Sequence, residues 1–188
     1  MILYLHGFNS SPQSAKAQFL KRYLEERGRG REFVCPRLPH LPKLAVAAAE
    51  AEMTRLPHDR ITLVGSSLGG FYATWLAERH TLRAVLINPA IDPHLDLRAY
   101  LGPQHSFHGG EGYELTEQHL QEWQELLVRE VHPERYLLLV ETGDEVLDYR
   151  SAVRKYRGAM QIVVQGGDHS LASFPEHVPL ILDFAGMA

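Results

Sequence analysis

Two residues define the chemistry open to this chain: Ser67, in Gly65-Ser66-Ser67-Leu68-Gly69, and His169, in Gly166-Gly167-Asp168-His169-Ser170. A serine hydroxyl is a weak nucleophile until a base takes its proton and an acid orients that base. Imidazole is the usual base and a carboxylate the usual orienting group. Asp144, in Gly143-Asp144-Glu145-Val146, is the expected carboxylate. Asp148 lies four residues further on and is its competitor, whereas Asp168 precedes His169 too closely to bond its Nδ1 easily. Together Ser67, Asp144 and His169 would attack an acyl carbonyl, form an acyl-enzyme and release it to water.

The surroundings of Ser67 decide whether the pattern is more than a glycine-serine turn capping a helix. The apolar run Ile61-Thr62-Leu63-Val64 leads into it, and the helix-like Leu68-Gly69-Gly70-Phe71-Tyr72-Ala73-Thr74-Trp75 leads out. A turn this tight between strand and helix strains the serine backbone and leaves no room for side chains at Gly65 and Gly69. Those two glycines lie two residues to either side of Ser67, which favours it over Ser66. The N–H of Leu68, at the positive end of the helix, is the first expected donor to an oxyanion. The second is the N–H of Phe8, from the loop His6-Gly7-Phe8-Asn9-Ser10-Ser11 that follows the first apolar run. Asn9 and Ser10 are placed to contact substrate, with Ser11 beside them. His6 precedes the nucleophile and is expected to buttress this loop.

These loops must hang from one edge of a sheet. Continuous apolar runs at 2–5, 33–35, 61–64, 84–87, 136–140 and 161–164 alternate with helical patterns at 14–27, 42–56, 68–79 and 175–184. Continuous runs suit strands covered on both faces, and strand-helix alternation predicts a parallel, doubly wound sheet of about six strands. Ligands bind such sheets at the carboxyl ends of the strands, where Ser67, Asp144 and His169 all fall. The predicted class is therefore α/β, an α/β-hydrolase fold, with residues 1–188 as one domain. One interval, 88–133, shows no strand pattern and several glycines and prolines, then a helical stripe at 115–129 with Leu115, Leu120, Trp123 and Leu127. It is expected to be a small helical cap or lid insertion.

Composition narrows the partners. The 188 residues carry a formal net charge of −4 with both signs interspersed, so nucleic acid is not an expected partner. The one cysteine, Cys35, excludes an internal disulfide and sits in a strand-like run as a buried small hydrophobe. No run approaches the roughly 18 apolar residues of a membrane span, and no signal-peptide pattern precedes the first strand. A cytoplasmic protein without membrane insertion is expected. Despite 11 histidines, no His-Glu-x-x-His or paired-cysteine spacing occurs, so no metal is expected. No phosphate-binding glycine loop follows a strand, so no nucleotide or other cofactor is expected either.

With these residues placed, the chain resembles the YqiA-like esterase family of small bacterial α/β-hydrolases. The resemblance rests on Leu3-Tyr4-Leu5-His6-Gly7-Phe8-Asn9-Ser10-Ser11-Pro12, Val64-Gly65-Ser66-Ser67-Leu68-Gly69-Gly70, Ala73-Thr74-Trp75, Asn88-Pro89-Ala90, Thr142-Gly143-Asp144-Glu145-Val146-Leu147-Asp148-Tyr149 and Gly166-Gly167-Asp168-His169. It implies hydrolysis of small-molecule acyl esters, with thioesters such as acyl-CoA included, by a Ser67–Asp144–His169 triad. The family often carries Asn where this chain has Asp168. Two other expectations compete: a noncatalytic binding protein on the same scaffold, and the same triad turned to peptide or carbon–carbon bonds.

Overall fold

The computed structural model describes residues 1–109 and 112–188. In chain order the strands are β1 (Ile2–Leu5), β2 (Phe33–Val34), β3 (Thr62–Ser66), β4 (Arg83–Ile87), β5 (Gly102–Gln104), β6 (Tyr113–Leu115), β7 (Tyr136–Glu141) and β8 (Met160–Val164). The helices are α1 (Ala15–Glu25), α2 (Pro42–Met53), α3 (Leu68–His80), α4 (Pro93–Asp96), α5 (Glu117–Glu125), α6 (Tyr149–Lys155) and α7 (Phe174–Phe184). Six strands form one sheet in the order β2-β1-β3-β4-β7-β8, and every neighbouring pair is parallel. The chain moves outward from β1 to β2, then returns to β3 on the other side. That reversal opens a crevice between the carboxyl ends of β1 and β3, where Leu5 pairs with Gly65.

Alternation along the strands feeds two apolar layers. Leu3, Leu5, Leu63, Leu86 and Leu138 face α2, α3 and α5, where Ala45, Ala49, Phe71, Leu76 and Trp123 are buried. Ile2, Tyr4, Val64, Val85 and Leu139 face α1 and α7, where Leu20, Leu24, Val178 and Ile181 are buried. Burying one such leucine is worth roughly 2 kcal/mol, so the two layers are the main stabilising term. The edge strand β8 departs from the expected two-sided burial: Met160 and Val163 are exposed.

Residues 88–133 differ from the sequence expectation in two ways. The interval does contain strands: β5 and β6 pair antiparallel, Gly102 with Leu115 and Gln104 with Tyr113. Each is only three residues long and β5 carries Pro103, so neither leaves an alternating pattern. The interval also divides. Its helix is shorter than expected, and α5 belongs to the core layer: Trp123 is fully buried and its indole N–H donates to the Tyr72 hydroxyl at 2.9 Å. The part nearer the sheet edge, with α4 and the turn at 98–100, overhangs the crevice. Gly110 and Glu111, inside the expected cap, lie outside the described residues. Among the described residues no helix is long and apolar enough to cross a membrane.

Candidate active site

Ser67 stands where β3 turns into α3, at φ 55° and ψ −122°. A non-glycine residue in this region costs on the order of 1–3 kcal/mol and persists only where its surroundings enforce it. They do. Its N–H donates to the Ile87 carbonyl at 2.9 Å, and its carbonyl accepts from the N–H groups of Gly70 at 2.9 Å and Ala90 at 3.0 Å. A Cβ at Gly65 would lie 2.3 Å from the Gly69 carbonyl oxygen, and one at Gly69 would lie 1.9 Å from that of Leu5. Both positions therefore require glycine, and the hydroxyl is thrust above the sheet edge.

His169 lies beyond β8, in the loop that leads to α7. Its Nδ1–H donates to Asp144 Oδ2 at 2.8 Å, which leaves Nε2 to accept from Ser67 Oγ at 3.0 Å. The carboxylate fixes the tautomer, because it can only accept. The Asp144 side chain is 1% exposed, and its other oxygen accepts the N–H groups of Val146 and Leu147, each at 2.8 Å. Burial pushes its pKa upward, but the His169 bond and these two N–H groups outweigh burial and hold it below the ordinary carboxylate value. Asp148 is engaged elsewhere: it caps α6, accepting the Arg150 N–H at 3.0 Å. Asp168 accepts the Ser170 N–H at 2.8 Å and stays within its own turn.

The loop after β1 meets the same point. A Cβ on Gly7 would lie 3.1 Å from Ser67 Cβ, so the backbone leading to Phe8 runs alongside the serine. Phe8, Leu68, Asn9 and Ser10 all line the cavity above Ser67, which encloses about 670 Å³. The Asn9 side chain is spent on the β5–β6 hairpin: its amide donates to Gln104 Oε1 at 2.9 Å and its oxygen accepts from the Tyr113 hydroxyl at 2.7 Å. Ser11 is buried and does not line the cavity; its hydroxyl accepts the Gln13 N–H at 3.0 Å. His6 is buried, with Nδ1 3.2 Å from the Gly7 carbonyl and Nε2 accepting from the Leu38 N–H at 3.1 Å. Burial pushes its pKa down to about 4 against the Gly7 bond, so it is a neutral strut for the loop. A second cavity, about 810 Å³, opens at the opposite edge of the sheet among Arg29, Arg60, Arg83 and Met187, away from Ser67.

Two further residues hold the histidine loop, and neither was singled out for this from the sequence. Glu141, at the end of β7, is buried and accepts from the N–H groups of Asp168 at 2.8 Å, Ala172 at 3.3 Å and Ser173 at 3.1 Å, and from the Ser173 hydroxyl at 2.6 Å. Asn88 donates to the carbonyls of Asp168 and His169, each at 3.1 Å, and accepts the Glu141 N–H at 3.0 Å. The legible signal was an acidic residue ending a strand too buried to expose it, immediately before Thr142-Gly143-Asp144. Among the described residues, no group of three or more His, Cys, Asp or Glu side chains is placed to hold a metal ion.

Residues 1–186 match the model of an uncharacterised protein family, UPF0227. Solved structures share the fold at low identity. A hydrolase from Agrobacterium vitis S4, described as putative in its own report, superposes with a TM-score of 0.79 at 18% identity, over 98% of this chain and 87% of that one. Mouse alpha/beta hydrolase domain-containing protein 10 gives 0.76 at 15% identity, over 98% and 89%. A Paleococcus ferrophilus monoacylglycerol lipase gives 0.69 at 16% identity, over 100% and 94%. The architecture is the α/β-hydrolase fold.

Proposed function

This chain belongs to UPF0227, the YqiA-like family, and on that premise we propose that it is a serine hydrolase of carboxylic esters or thioesters. One observation carries the reading: the unbroken relay from Asp144 through His169 to the strained Ser67, with contacts of 2.8 and 3.0 Å. As the hydroxyl attacks an acyl carbonyl, His169 Nε2 takes its proton. Asp144 holds the tautomer and stabilises the imidazolium that forms. The N–H groups of Phe8 and Leu68 receive the developing oxyanion, the latter assisted by the positive end of α3. His169 returns the proton to the leaving oxygen or sulfur, and a water then attacks the acyl-enzyme by the same route in reverse.

The cavity supports an apolar acyl group. Phe8, Leu68, Leu97, Tyr100 and Phe107 line it, and three of these come from the 88–107 portion, which we assign as the cap. The monoacylglycerol lipase of Paleococcus ferrophilus, which shares the fold, is consistent with such a substrate. Turnover of an aryl butyrate by wild type and Ser67→Ala tests the reading. The account expects a fall of about 10⁴-fold or more in kcat, and full turnover without the hydroxyl would end it. Parallel turnover of an ester and a thioester with the same acyl chain separates the two substrate classes.

A further inference from the structure

The turn that carries the Phe8 N–H is closed by a single backbone bond, from the Ser10 N–H to the Gly7 carbonyl at 3.2 Å, with Phe8 and Asn9 at its centre. Of these two, Asn9 alone has a positive φ, 52°, which is the pattern of a type II turn. Asn tolerates the left-handed region better than most residues, yet glycine is the usual choice there. A non-glycine residue stays in it only where its surroundings enforce the conformation. His6 holds the loop from the Gly7 side. At Asn9 the enforcement comes from one distant element. Its amide donates to Gln104 Oε1 at 2.9 Å, its side-chain oxygen accepts from the Tyr113 hydroxyl at 2.7 Å, and its carbonyl accepts the Phe107 N–H at 2.8 Å. All three partners belong to the β5–β6 hairpin, 95 to 104 residues further along the chain.

The hairpin is itself anchored at this point. Gln104 pairs with Tyr113 across it, and the Gln104 amide donates to the Tyr100 carbonyl at 2.7 Å. The Tyr113 ring stacks on His40, with centroids 4.4 Å apart and planes inclined by 16°. Burial pushes the Tyr113 phenol up to about 12, so its hydroxyl remains a donor throughout the range in which a histidine base works. The Phe8 ring meets the same region, edge-on to Tyr100 at 6.2 Å. Among the described residues the Phe8 N–H donates to no backbone acceptor, so its direction is set by the turn and not by a bond of its own.

We propose that Gln104 and Tyr113, acting through Asn9, are positioning residues for the reaction: they hold the turn that aims the Phe8 N–H at the oxyanion formed during attack by Ser67. The role rests on the hydrolase reading of Ser67 and extends its machinery from the triad to the β5–β6 hairpin. An oxyanion donor works by being fixed before charge develops. Loosening the turn therefore weakens transition-state binding and leaves ground-state binding nearly untouched.

Two variants test this. Tyr113→Phe deletes one hydroxyl and keeps the ring that stacks on His40; Asn9→Gly deletes both side-chain bonds and keeps a residue at ease at positive φ. Turnover of an aryl butyrate is measured on each and on the double variant, with inhibition by a propyl trifluoromethyl ketone, which adds to a serine nucleophile and places its oxyanion in the hole. Tyr113→Phe should lower kcat about fivefold, the scale of one neutral hydrogen bond, and Asn9→Gly about 25-fold, with KM within about twofold of wild type. The ketone should bind more weakly by the same factors. The double variant should fall no further than Asn9→Gly alone, because the hydroxyl acts only through Asn9. Wild-type kcat and ketone affinity in both single variants would overturn the role, whatever happens to their melting temperatures. So would a rise in KM at constant kcat, or a double variant in which the two losses multiply. If wild type neither cleaves the ester nor binds the ketone, the reading of Ser67 has failed and the positioning role falls with it.

Discussion

Glu141→Gln should disable the site without touching any group that meets substrate. The carboxylate sits under the histidine loop and accepts four hydrogen bonds, at 2.6, 2.8, 3.1 and 3.3 Å. The loop packs directly on it, since a Cβ at Gly167 would lie 2.0 Å from Glu141 Oε2. Glutamine keeps the shape but one acceptor oxygen, so two of the four donors face an amide NH₂ instead. Bonds to a charged acceptor are worth roughly 1.5–3 kcal/mol each, so the loop loses about 3 kcal/mol or more of its hold. The loop carries His169 and little else that the reaction uses, so kcat should fall about 100-fold, taking 1.4 kcal/mol per decade, with KM nearly constant. If the same loss is felt globally, the melting temperature falls by roughly 6–12 °C. The assay is steady-state turnover of an aryl butyrate, with a thermal melt on the same protein. Wild-type kcat together with a wild-type melting temperature would refute the role given to Glu141.

Three other outcomes follow from the same geometry. Asp144→Asn should lower kcat by roughly 10³–10⁴-fold while Asp148→Asn stays near wild type, because Asp148 only caps α6; the reverse result would transfer the orienting role to Asp148. His6 is neutral when folded, with its pKa lowered from 6.5 to about 4, so its contribution is complete above the unfolded value and is lost as pH falls towards the folded one. Urea midpoints should therefore drop between those two values by about 3 kcal/mol equivalent, and His6→Gln should flatten that part of the curve. Gly69→Ala places a methyl 1.9 Å from the Leu5 carbonyl oxygen and should destabilise the protein by about 3 kcal/mol or more in denaturant titrations, with the loss of activity following the loss of fold.

The sheet was legible because buried parallel strands are written as short continuous apolar runs, and all six appear in the structure close to where those runs lie. The elbow was legible for a different reason: steric exclusion at Gly65 and Gly69 leaves a mark in residue type that packing alone would not. His169 and Asp144 stood out by position, each just past a strand on the same edge. What sequence hid were pairings between distant segments. Nothing local says that Asn9 is held by Gln104 and Tyr113, or that the Trp123 stripe packs on Tyr72 in the core rather than over the site. Helix α6 has seven residues, too few for a periodic pattern to emerge. Asn88 resembles an ordinary surface polar residue until the fold shows what surrounds it, and Glu141 stands apart only by ending a buried strand.

The central claim is that Ser67 is a nucleophile activated by His169. Its most direct test is covalent labelling with a fluorophosphonate, followed by mass spectrometry of the intact protein and its peptides. One adduct per chain, on the peptide containing Ser67, abolished in Ser67→Ala and strongly slowed in His169→Ala, is the predicted result. An unlabelled wild-type protein, or an adduct on any other residue, would contradict it.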